Sequence, residues 1–267
     1  MKCIRLCVLF ILCATIGVGA QIPFKHGGFL TSFDMKMPVI VDKSPAENYN
    51  LDMRRQSFYV YVPESYHMGD KFGLLVFLGA GRAVTVPPDW RRLLADRKLL
   101  YVAPQHIDNY TPNETKLALA HVAILEMKQN YDIDMQRVIV SGFATGARAA
   151  TLFAFEHPKM VEGTVAICGA EYYRPVQGTY QAPDDHYGVT PLPLAVVDNA
   201  RKSTRFAFVT GEKDERRGNI WNIYEEGYKK DGFQVDLFDV PGMGTQVCDG
   251  VIMSQALSWV EAKPAAR

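Results

Sequence analysis

Apolar residues along this chain fall into two kinds of pattern. Short continuous or alternating runs read as strands: Phe58–Val62, Leu74–Leu78, Leu99–Ala103, Arg137–Val140, Thr164–Cys168, Arg205–Val209 and Val235–Val240. Between them lie stretches with apolar positions three and four apart, which predict helices at Pro88–Lys98, Asn113–Asn130, Thr145–Glu156, Ile220–Lys230 and Gly250–Ala262. In the second of these the spaced positions are Leu117, Leu119, Ala120, Ala123, Ile124 and Met127, giving an amphipathic helix. Strands alternating with helices predict an α/β fold with a mostly parallel sheet covered on both faces. Residues 21–56 have no such period and read as irregular. Residues 171–204, with four prolines, read as one long loop, functional or merely a surface excursion.

The first twenty residues differ from the rest. Lys2 and Arg5 precede an apolar run from Cys7 to Ile16, and Val18-Gly19-Ala20 supplies small residues before Gln21. This pattern predicts a secretory signal peptide over 1–20 and an exported protein, with an uncleaved anchor as the alternative. The apolar run is short for a membrane span, and none is expected after cleavage. Removing the segment leaves 27 basic against 29 acidic residues, a balance that points to neither nucleic acid nor an anionic membrane. It also leaves Cys168 and Cys248, a pair that an oxidising compartment would bridge or that the core would bury as thiols. Asn113-Glu114-Thr115 is a glycosylation sequon.

The chemistry centres on "VIVSGFATGARAA", residues 138–150. A strand, a Gly-x-x-x-Gly turn and a helix form the frame of a nucleophile elbow, whose sharp turn presents one side chain above the sheet. The flanking glycines are Gly142 and Gly146, and the central residue is Ala144. The helix N-terminus behind it favours negative charge. The N–H of Thr145 is one candidate oxyanion donor, and the Gly79-Ala80-Gly81 turn, through Ala80 and Gly81, is the source of a second.

Several segments in order, "PPDWRRLLADRKLLYVAP", "MKQNYDIDMQRVIVSGFATGARAA", "VAICGAEYYRPV", "FVTGEKD" and "GYKKDGFQVDLFDVPGMG", resemble the α/β-hydrolase superfamily, and within it the secreted polyhydroxybutyrate-depolymerase-like esterases. The resemblance spans roughly residues 57–260 and implies one α/β-hydrolase domain, bounded here at 57–262. It also implies a Ser, Asp, His triad in that chain order, which falls on Ala144, Asp214 and Thr245. Two of the three positions depart from the pattern. All six histidines lie at or before His186, so none follows Asp214, and the chain holds no Gly-x-Ser-x-Gly or Gly-x-Cys-x-Gly. Ser141, the nearest hydroxyl, sits on the strand and is expected to point inward.

Losing the serine or the histidine of subtilisin, an unrelated fold, costs about 2 × 10⁶ in kcat, or about 8.6 kcal/mol of transition-state stabilisation. The expectation is therefore a hydrolase fold without its reaction, binding an ester, acyl or polymer-like ligand. The alternatives are a weakly or unconventionally active carboxylic ester hydrolase and a structural component with no small ligand. Tyr172, Tyr173 and Tyr180 are candidate ligand contacts or packing residues. No cofactor motif and no metal-ligand cluster is read from the sequence.

Overall fold

The computed structural model describes residues 25–33, 55–178 and 189–262. Its strands are β1 (Gly27–Thr31), β2 (Phe58–Val62), β3 (Phe72–Leu78), β4 (Leu99–Pro104), β5 (Ile133–Phe143), β6 (Gly163–Ile167), β7 (Arg205–Lys213) and β8 (Gln234–Gly244). They form one sheet in the order β1-β2-β4-β3-β5-β6-β7-β8. The β1–β2 and β2–β4 pairs are antiparallel, and every pair from β4 onward is parallel. β3 and β4 are buried at every position, which is why each reads as a continuous apolar run.

The helices are α1 (Trp90–Asp96), α2 (Asn113–Asn130), α3 (Thr145–Glu156), α4 (Leu194–Ser203), α5 (Arg217–Asn222) and α6 (Gly250–Val260), with α5 continuing as a π-helical stretch over Ile223–Lys229. Alternate strand residues face opposite ways. Leu74, Val76 and Leu78 join α2 and α3 in one core, through residues such as Ile124 and Phe153. Leu75 and Phe77 join α1 and α6 in the other, through Trp90, Leu94, Met253 and Leu257.

Four expectations change. The segment 21–56 holds a strand, β1, paired antiparallel with β2 at the sheet's edge. The 171–204 stretch ends in helix α4, for which Pro193 is the N-terminal flanking residue, a place where a proline's missing N–H costs no helical bond. β5 and β8 extend beyond the runs read from their apolar residues. Finally, α2 is not amphipathic in its setting. It packs against β3, β4, β5 and α3, and buries every residue from Lys116 to Ile124. Residues 1–20, with the expected signal peptide, lie outside the described residues. None of the described helices is long and apolar enough to cross a membrane.

Candidate functional site

At the end of β5 the chain turns through Ala144, with φ 52° and ψ −116°, and enters α3 at Thr145. This is a conformation that side-chain-bearing residues rarely adopt, and it costs of order 1–3 kcal/mol. Close packing imposes it. A Cβ on Gly142 would collide with the Gly146 carbonyl, one on Gly146 with the Leu78 carbonyl, and one on Gly169 with the Ala144 carbonyl. The Ala144 N–H donates to the Ile167 carbonyl at 2.9 Å. A strand, a tight turn and a helix thus follow one another here, with the Ala144 methyl at the turn. The Ala147 and Arg148 N–H groups meet the Ala144 carbonyl at 3.1 and 3.3 Å, which leaves the Thr145 and Gly146 N–H groups without a carbonyl inside the helix.

The Gly79–Gly81 turn lies against this first helical turn, since Leu78 and Gly79 carbonyls crowd Gly146. Gly81 forms an isolated bridge with Ile107. The buried Gln105 amide holds the turn from below, accepting from Val84 N–H at 3.0 Å and donating to the Val84 carbonyl at 2.8 Å. Ser141 points inward, as expected, donating to the Val165 carbonyl at 2.8 Å.

β7 and β8 pair Lys213 with Gly244, so the next residue on each strand, Asp214 and Thr245, emerge side by side. Asp214 is buried, and Thr245 Oγ1 donates to its Oδ1 at 2.6 Å. Thr210 Oγ1 donates to Oδ2 at 2.9 Å, and the Arg216 N–H to Oδ1 at 3.1 Å. A threonine hydroxyl thus sits against the Asp214 carboxylate and serves it as a donor.

Cys168, at the end of β6, links this pair to the elbow. Its neighbours Ile167 and Gly169 touch Ala144, while its Sγ faces the Gln246 carbonyl at 3.5 Å. Burial, then the Asp214 charge, pushes its thiol up to about 12. Cys248 is also buried and pushed up to about 12. The bridge expected as one outcome is not formed, and both are free thiols. Cys168 directs its sulfur at the carbonyls of the 244–246 segment, and Cys248 packs in the core beside α1, where Trp90 Nε1 donates to its carbonyl at 3.1 Å.

Tyr172 and Tyr173 pack the chain down rather than line an opening. Tyr172 is 2% exposed, its ring 4.7 Å from that of Tyr228. Both hydroxyls donate to Asp231, which also pairs with Arg174 at 2.8 Å. The carboxylate supplies acceptors that anchor both rings against the core. Tyr180 lies outside the described residues.

Two residues that sequence reasoning passed over sit beside the elbow. Lys116 of α2 is 1% exposed, and its Nζ donates to Thr145 Oγ1 at 3.1 Å. Thr145 Oγ1 donates in turn to Oδ1 of the exposed Asn109 at 3.0 Å. Burial, then the Arg148 charge, pushes the Lys116 ammonium down to about 8. The signal was present in the spacing: Lys116 leads the series Ala120, Ala123, Met127, one buried helical face. Next to it, Arg148 pairs with buried Glu171 at 2.6 Å, and Thr190 Oγ1 donates to the same carboxylate at 2.9 Å.

Two histidines approach each other, but not here. His121 and His157 have ring centroids 5.3 Å apart. His157 follows the C-terminal end of α3, some 18 Å along the helix from its first turn, at about 1.5 Å per residue. Among the described residues no group of three or more His, Cys, Asp or Glu is placed to hold a metal. A shallow groove of about 680 Å³ beside Tyr59, Tyr61 and Arg91 contains none of the elbow or Asp214 positions.

No family model matches the chain, and no curated protein matches it. Solved structures do. A thermostable esterase matches at 17% identity and TM-score 0.53, over 77% of this chain and 58% of that one, so this chain spans less than two thirds of its length. The S-formylglutathione hydrolase FrmB of Staphylococcus aureus matches at 12% identity and TM-score 0.59, over 77% and 92%. A ferulic acid esterase matches at 16% identity and TM-score 0.57, over 88% and 96%. Together with the sheet order and the elbow, these likenesses show an α/β-hydrolase fold.

Proposed function

We propose that this is an exported hydrolase-fold protein that binds an ester- or acyl-type ligand at the elbow and does not hydrolyse it. One observation carries the reading: the acid's partner is a hydroxyl, Thr245 Oγ1 donating to Asp214 at 2.6 Å, while the strained apex bears the Ala144 methyl. Among the described residues Asp214 accepts from Thr245, Thr210 and the Arg216 N–H, no histidine is among its partners, and the apex residue bears no hydroxyl to deprotonate. Such a site forfeits the nucleophile and base steps and keeps the electrostatic donors. The esterase neighbours support an ester or acyl group as the ligand class. The depolymerase-like relationship and export through residues 1–20 belong to the same reading.

The test is turnover of a short-chain chromogenic ester by the purified protein. The expected result is no rate above buffer. Turnover that disappears in Asp214→Asn would overturn the reading. The double variant Ala144→Ser, Thr245→His is expected to gain at least tenfold over background, because Asp214 already stands next to position 245. Ala144→Ser alone is expected to stay at background, having no base.

A further inference from the structure

β2 carries tyrosines at 59 and 61, two residues apart, so both side chains stand on the same face of the sheet. That face is the one covered by α1. The neighbouring strand, β1, begins with two glycines, and Gly28 lies directly opposite Tyr61. A Cβ on Gly28 would collide with Tyr59 Oη. The missing side chain therefore leaves a trough over β1, and the Tyr59 hydroxyl ends in it. Arg91 of α1 stands on the other side, its guanidinium 5.9 Å from the centre of the Tyr61 ring. Together they line the groove of about 680 Å³, a size ordinary for a small ligand. The protein leaves its polar groups unused. Tyr59 is 8% exposed, yet its hydroxyl makes no hydrogen bond among the described residues. The Arg91 side chain makes neither a hydrogen bond nor an ion pair among them, whereas Arg92 beside it pairs with Asp96 at 3.5 Å. A nearly buried phenol hydroxyl normally has a partner, and a guanidinium offers five donors.

We infer that this groove binds a small aromatic monocarboxylate. The unpaired Arg91 fork matches the two oxygens of one carboxylate, and Tyr59 Oη supplies a further donor. Glu64, an exposed residue of the same groove, sets a negative charge against any second anionic group. The tyrosine rings and the guanidinium present flat surfaces, which stack on an aromatic ring better than on an alkyl chain. Because no residue of the elbow and neither Asp214 nor Thr245 lines the groove, this site stands whatever the elbow binds.

The experiment titrates the intact protein with sodium benzoate by calorimetry at pH 7, against sodium chloride, sodium acetate and benzyl alcohol at one ionic strength. Saturable binding of benzoate is expected, with acetate and benzyl alcohol each weaker by about tenfold or more. Arg91→Gln should weaken benzoate by about tenfold, and Tyr59→Phe, which keeps the ring, by about fivefold. Ala95→Phe, which fills the groove and leaves both donors in place, should abolish binding. Lys116→Met and Asp214→Asn, remote from the groove, should leave benzoate binding unchanged. No saturable benzoate binding, equal responses to benzoate and chloride, or undiminished binding in a folded Arg91→Gln would each overturn the inference. So would binding lost in Lys116→Met and kept in Arg91→Gln, which would put the ligand at the elbow. Ester turnover by the wild type ends the binding-protein reading and leaves the benzoate result standing.

Discussion

Burial holds the Lys116 ammonium down to about 8, against an ordinary 10.5. A lysine lowered on folding costs stability wherever it is charged in the folded state. The cost is full below pH 8 and fades as pH rises toward 10.5. At 1.36 kcal/mol per unit, wild type should gain about 2–3 kcal/mol relative to Lys116→Met between pH 7 and pH 10. The comparison must be made against the variant, because other groups titrate in the same window. Cys168 and Cys248, pushed up to about 12, contribute stability that is lost above their ordinary 9. Glu156, Glu162 and Glu171, raised to about 7, exert most of their cost by pH 8 and add little slope beyond it. Urea unfolding of both proteins at pH 7, 8, 9 and 10 measures the difference. A difference independent of pH would mean that burial does not lower the Lys116 ammonium.

Among the elements, the strand–turn–helix from β5 through α3 shows how much a sequence can disclose. The Gly-x-x-x-Gly spacing, the apolar run before it and the helix after it identified the elbow, and the register of β7 with β8 then placed Asp214 beside Thr245. The elbow was legible because it is local; Asp214 and Thr245 came only from the family resemblance, and their meeting rests on a strand pairing between distant residues. β1 was not legible, since "GGFLT" is short, exposed at alternate positions and set in a turn-rich segment. α4 was hidden by prolines that sit before it rather than within it. The burial of Lys116 was missed because a charged residue in an apolar series reads as the start of a solvent face. What decides it is the packing of α2 between the sheet and α3, a tertiary fact. The glycines sharpen this into a prediction. Gly146→Ala drives a methyl into the Leu78 backbone and should cost about 3 kcal/mol or more. Gly81→Ala meets nothing within 4 Å and should fall within about 0.5 kcal/mol of wild type. Denaturant midpoints for the two variants separate a steric requirement from a merely glycine-rich turn.

For the molecule as a whole, the sheet carries its apolar cores on both faces, and the two thiols share the core on the α1–α6 side. Two buried, unbridged cysteines depend on that core, not on a crosslink, to stay reduced. A thiol reacts as its thiolate, and both are nearly excluded from solvent, with thiolates disfavoured up to about pH 12. Reaction with a thiol reagent then requires opening of the structure around α1, β6 and α6. In native buffer at pH 8, protein lacking residues 1–20 should be unmodified over the time in which free cysteine reacts to completion. In denaturant without reductant, both positions should react. Mass spectrometry counts the adducts. Two adducts only after reduction would mean that Cys168 has turned from the Gln246 carbonyl toward Cys248. That turn would take its sulfur away from the segment that holds Thr245 on Asp214, so the state of the thiols and the Thr245–Asp214 hydrogen bond would have to change together.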